Sequence, residues 1–143
     1  MLGNGEVERF ERMAHEMGLT EQVKFTGYVT GKEREDYFRK ASILCMCSYE
    51  EGFPMVVLEA WANGICVVTT PVGGLPDVLE EGKNALVFDF GDWQGLASCL
   101  DNLIQDLSLR KNLTLYSQKF VYDKFSIEKI NKEAGILYQT LIQ

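Results

Sequence analysis

The chain switches between short, dense apolar runs and longer stretches where apolar residues recur every three or four positions. Val23-Lys-Phe-Thr-Gly-Tyr-Val29 alternates, which predicts a strand. Ile43-Leu-Cys-Met-Cys47, Ile65-Cys-Val-Val-Thr-Thr70 and Ala85-Leu-Val-Phe88 are apolar with little or no break, as strands buried on both faces are. Between these runs the spacing predicts helices. Val7, Phe10, Ala14 and Met17 mark one that Gly18 ends. Thr30 caps another, to about Lys40. A third lies between Pro54, suited to a first turn, and Gly64, suited to a C-terminal cap. Asp92 starts a helix to about Asp106, and another runs from about Leu109 to Tyr122. Ser126 caps the last, where Ile127, Ile130, Ala134, Leu137 and Leu141 form one narrow stripe, part of it expected to be exposed. Met1-Leu-Gly-Asn-Gly5 reads as a strand end entering a glycine turn, although Glu8 stands where a dinucleotide fingerprint needs its third glycine. Alternating strands and helices predict an α/β fold: a Rossmann-like open parallel sheet flanked by helices, one domain over residues 1–143. Ligands of such sheets bind beyond the carboxyl ends of the strands, and Glu51, Gly73 and Tyr28 all follow predicted strands.

The most informative stretch is Glu51-Gly-Phe-Pro-Met-Val-Val-Leu-Glu59, continuing Ala-Trp-Ala-Asn-Gly64. The first free amides of its helix belong to Met55 and Val56, and a helix start favours an anion. Glu59 shares a helical face with Met55, Leu58 and Ala62 in a segment apolar almost all round. An ionised carboxylate there is costly unless donors reach it, and a pair of sugar hydroxyls would serve. Glu51 sits before the helix, so the two acids bracket the anion position. Taken alone, the same two residues also fit a solvated loop acid and a partly exposed helix acid.

With its strand before and glycine cap after, this stretch resembles the signature of retaining nucleotide-sugar glycosyltransferases of the GT-B fold, family-4 type: a glutamate, seven residues, a glutamate. The resemblance continues through Gly64-Ile-Cys-Val-Val-Thr-Thr-Pro-Val-Gly-Gly74 and covers nearly the whole chain. It implies the C-terminal, donor-binding half of such an enzyme, without its first strand and helix and without the acceptor-binding N-terminal domain. Glu59 is then expected to hold the donor ribose. Glu51 is expected to position the transferred sugar. Gly52, Phe53, Pro54, Met55 and Val56 would face the diphosphate, Gly73 and Gly74 the donor sugar, and Tyr28 and Val29 the nucleobase. For the glycine pair and for Tyr28, local readings also stand: close backbone approach at positive φ, and a plain strand-end aromatic. The family usually carries a glutamate where Asp77 stands, and Asp77 also reads as a helix cap. The arginine and lysine with which the family grips diphosphate lie upstream of the glycine turn, so the chain alone is expected to bind nucleotide weakly and transfer sugar poorly or not at all.

Charge and cysteine content narrow the partners. Lys+Arg 14 against Asp+Glu 21 gives a net charge of −7, which argues against nucleic acid. Cys45, Cys47, Cys66 and Cys99 form no Cys-x-x-Cys pair and His15 is alone, so no zinc site is expected and the thiols read as small buried hydrophobes of a reducing cytoplasm. There is no Asp-x-Asp pair, and the resemblance implies neither an obligatory metal nor a cofactor beyond the nucleotide-sugar substrate. No apolar run is long enough to cross a bilayer. The expected partners are a nucleotide-sugar donor and, through the absent domain, an acceptor glycan or glycolipid of polysaccharide biosynthesis. The expected place is the cytoplasm, with a peripheral position of the parent enzyme at the inner membrane face compatible with it. Three alternatives remain at this point: a non-catalytic nucleotide-sugar binding module, another GT-B enzyme such as a nucleotide-sugar epimerase or glycogen-type phosphorylase, and an interaction domain without a ligand.

Overall fold

The computed structural model describes residues 6–141, which fall into two compact units, up to Lys40 and from Ala41 onward. The glycine turn read at Met1–Gly5 lies outside the described residues.

The first unit holds α1 (Val7–Glu16) and α2 (Gly31–Lys40). Gly18 ends α1 in the left-handed region, φ 70°, and its amide donates to the His15 carbonyl while Leu19 donates to Ala14. That pair of bonds is the glycine C-cap the sequence predicts. The strand predicted over 23–29 does not form. The segment is irregular and partly buried, with Val29 covered, but no described strand lies beside it. A strand is defined by its ladder, so the alternating pattern shows only that one side of the segment is buried.

The second unit carries a parallel sheet of β1 (Ile43–Met46), β2 (Cys66–Thr69) and β3 (Leu86–Val87), in that spatial order. Ile43 faces Cys66 and Met46 faces Thr69; Val68 faces Leu86. All four β2 residues are buried, as expected of an interior strand. Against the sheet lie α3 (Met55–Ala62), α4 (Trp93–Gln105) and α5 (Leu107–Phe125), while α6 (Ile127–Leu141) packs against α5. Cys66, Val68, Leu86, Phe88, Leu103 and Leu113 form a core joining β2 and β3 to α4 and α5. The Asp92 carboxylate accepts from the Gly95 amide at 2.9 Å, and Asp106 from Leu109 at 2.9 Å. These N-caps fix where α4 and α5 begin, and Ser126 caps α6 as read from the sequence.

Three expectations change. The run after the second glycine loop forms only a single 3-10 turn, Leu75–Asp77, so Asp77 is an exposed residue inside that turn and caps nothing. Cys45 and Cys47 are exposed rather than buried, while Cys66 is buried and Cys99 half-buried. The first two lie on one face of the edge strand, their sulfurs 3.4 Å apart, and α4 and α5 pack instead on β2 and β3. Pro54 stands one place earlier than expected, at the N-cap of α3. The α6 stripe is open, with Ile127, Ile130, Leu137 and Leu141 exposed. No helix among the described residues is long and apolar enough to cross a membrane.

Leu103 and Leu137 separate core from surface in one experiment. Leu103→Ala, at a fully buried site, is expected to cost about 2–5 kcal/mol in urea unfolding. Leu137→Ala, on the open stripe, is expected to stay within about 0.5 kcal/mol. A second expectation concerns Glu80, whose carboxylate accepts from Lys83 Nζ and Tyr116 Oη, each at 2.9 Å. Those two donors, Lys83 first, hold its pKa below the usual carboxylate value. The contribution is therefore present at neutral pH and fades as pH falls through the lowered folded value. Tyr116→Phe should move the Glu80 titration upward, read from its carboxyl carbon by NMR.

Candidate functional site

Parallel pairing of β1 with β2 carries both strand ends to the same edge of the sheet. After β1 the chain turns through Ser48–Phe53 into α3, and after β2 through Pro71–Gly74 into the 3-10 turn. The two turns are joined. The Gly74 amide donates to the Gly52 carbonyl at 2.8 Å. Gly73 has φ 59°, and a Cβ there would fall inside 3.0 Å of the Glu51 and Gly52 carbonyl oxygens. A Cβ on Gly74 would enter the Phe53 ring. The glycine pair therefore permits close approach between two parts of the protein's own backbone.

The first bond of α3 runs from the Val57 amide to the Pro54 carbonyl at 3.0 Å. The amides of Met55 and Val56 precede it, where an α-helix leaves donors without an intrahelical acceptor. At the other end Gly64 takes φ 68°; its amide donates to Trp61 and that of Ile65 to Ala60. This Schellman closure sets the length of α3 and so the place of its first turn. Trp61 is fully buried, edge-on to Phe120 of α5 at 5.7 Å.

Glu51 is exposed at the mouth of the first turn. Ser48 Oγ donates to its Oε1 at 2.8 Å. The buried Thr70 hydroxyl donates to the Ser48 carbonyl at 2.6 Å. Sequence reasoning passed over Ser48 and Thr70, although each is a hydroxyl residue at the end of an apolar strand run. Glu59 is half-buried rather than enclosed, because Met55 and Ala62 on its face are exposed. Gly52, Phe53, Met55 and Gly73 are exposed, Val56 and Gly74 half-buried, and Pro54 buried. Tyr28 and Val29 belong to the first unit, where the Tyr28 ring is exposed and Val29 is covered. No group of three or more metal-ligating side chains comes together among the described residues.

Helix-start amides between two carboxylates suit a ligand that is anionic at one point and rich in hydroxyls around it. Residues 1–120 match the model of the glycosyl transferases group 1 family, and the chain belongs to it. Its fold is that of the C-terminal domain of a GT-B glycosyltransferase. Over 139 residues it is 34% identical to the D-inositol 3-phosphate glycosyltransferase of Corynebacterium jeikeium, covering 97% of this chain and 33% of that protein. The chain thus spans about a third of such relatives. The crystallised C-terminal domain of a group 1 glycosyl transferase, LpcC of Francisella tularensis, is 28% identical, with a TM-score of 0.77 over 84% of this chain and 62% of that one. HepE of Anabaena, crystallised with UDP-glucose, shares the fold at a TM-score of 0.84 with 23% identity, over 97% of this chain and 40% of that one.

Two glycines test the splice between the turns. Gly82→Ala adds a Cβ at φ 72° with nothing within 4 Å, so only the left-handed strain of about 1–2 kcal/mol is expected. Gly73→Ala adds a backbone collision to similar strain and should cost about 3 kcal/mol or more in urea unfolding. Equal losses at the two positions would contradict the close approach.

Proposed function

We propose that this chain is the donor-binding part of an enzyme that transfers a hexosyl group from a nucleoside diphosphate sugar to an acceptor hydroxyl, with retention of anomeric configuration. The observation that carries the reading is the joined pair of turns at the start of α3, with Glu51 and Glu59 on either side of the helix-start amides. Glu59 accepts from the ribose hydroxyls, and Glu51 accepts from hydroxyls of the transferred sugar. The amides from Gly52 to Val56 meet the diphosphate, and Gly73 and Gly74 border the sugar.

Negative charge gathers on the leaving diphosphate as its bond to the sugar breaks. Fixed amide dipoles aimed at that charge stabilise the transition state, and loss of one such donor typically costs about 3 kcal/mol. With that charge met by amides, no obligatory metal is required. The acceptor, a glycan or glycolipid, binds elsewhere in a whole enzyme, at the cytoplasmic side. The chain alone binds donor weakly and transfers sugar poorly or not at all.

Calorimetric titration with UDP-, GDP- and ADP-sugars and the matching nucleotides tests this. One base should be preferred. Glu59→Ala is expected to abolish binding. Glu51→Ala should weaken nucleotide-sugar on the order of tenfold or more while sparing bare nucleotide, as loss of hydrogen bonds to a charged group does. Unchanged affinity in both variants would overturn the reading.

A further inference from the structure

The Glu51 carboxylate lies on an exposed turn, yet one of its oxygens is already engaged. Ser48 Oγ donates to Oε1 at 2.8 Å, three residues back along the same turn. Ser48 is itself held from the neighbouring strand. Thr70 is fully buried and donates its hydroxyl proton to the Ser48 carbonyl at 2.6 Å. The Thr70 amide donates to Met46 at 3.2 Å, and the Thr69 hydroxyl to the Thr70 carbonyl at 3.0 Å. The path from the β2 end to the Glu51 carboxylate is therefore a run of directed hydrogen bonds.

We propose that Ser48, anchored by Thr70, is a positioning residue that sets the rotamer of Glu51 before donor arrives. This rests on the reading of Glu51 as the group that accepts from the donor sugar. A glutamate on an open turn samples many rotamers, and ordering a long side chain costs entropy when ligand binds. The Ser48 hydroxyl imposes that order in the free protein. It occupies Oε1 and leaves Oε2 to accept from a sugar hydroxyl. Because Ser48 acts through Glu51, the group read as meeting the sugar, its effect falls on the sugar-dependent part of binding.

The test compares UDP-glucose with UDP, a pair chosen because HepE was crystallised with UDP-glucose. Ser48→Ala should lower UDP-glucose affinity by about fivefold to tenfold and leave UDP affinity unchanged. Ser48→Thr, which keeps the hydroxyl, should restore it. Thr70→Val should move affinity the same way, and Thr70→Ser should not. Equal loss of both ligands in Ser48→Ala, or no loss of either, would overturn the proposal. Loss in Ser48→Ala with none in Glu51→Ala would instead remove the reading of Glu51 on which it rests. A measurement without ligand decides the matter independently of which donor the protein prefers. The NMR order parameter of the Glu51 side-chain methylenes should fall in Ser48→Ala and recover in Ser48→Thr. An unchanged value would refute the ordering role.

Discussion

The contact on which the site depends is the one between the turn after β1 and the turn after β2. Neither turn has regular structure to hold it, and each sits at an exposed end of the sheet. What fixes them is mutual: a backbone bond from Gly74 to Gly52, and a gap at Gly73 too narrow for any side chain. Parallel pairing of the two strands brings the turns side by side, and the absence of two Cβ atoms lets them close. Helix α3 then leaves this joint with its first amides already aimed. The direction of those amides is a property of the joint as much as of the helix.

Much of this was legible in the chain, and the reasons differ by element. Strand β2 announces itself because an interior parallel strand is apolar on both faces, which few other short segments are. Helix α3 is legible from its ends, since Pro54 and Gly64 each do something local that the structure bears out to within a residue. Residues 23–29 misled because alternation reports one-sided burial, whereas a strand also needs a neighbour. Cys45 and Cys47 misled for the converse reason: an apolar run implies cover, and cover depends on which strand the helices choose. Ser48 and Thr70 were silent because a hydroxyl residue at a strand end has no pattern. Its value lies in a partner 22 residues away.

Glu59 shows where physical expectation needed adjustment. A carboxylate sealed among apolar groups would demand a ligand to be tolerable at all. Here its neighbours Met55 and Ala62 open the face, and the acid stands half in water. That weakens any argument that the fold needs a bound diol to exist. It leaves intact the argument that a diol would find an acceptor on the same helix whose first turn offers the amides.

The aromatic rings behind the site carry a consequence of their own. Trp61, Phe120, Phe125 and Phe53 follow one another at centroid separations of 5.7, 6.0 and 6.3 Å, and the last lies against Gly74. Phe125 closes α5 and stands one residue before the Ser126 cap of α6. A continuous row of ring contacts thus runs from the elbow between the last two helices to the glycine turn. A smaller side chain at Phe120 or Phe125 would break that row and leave a void between α5 and the ring that floors Gly74.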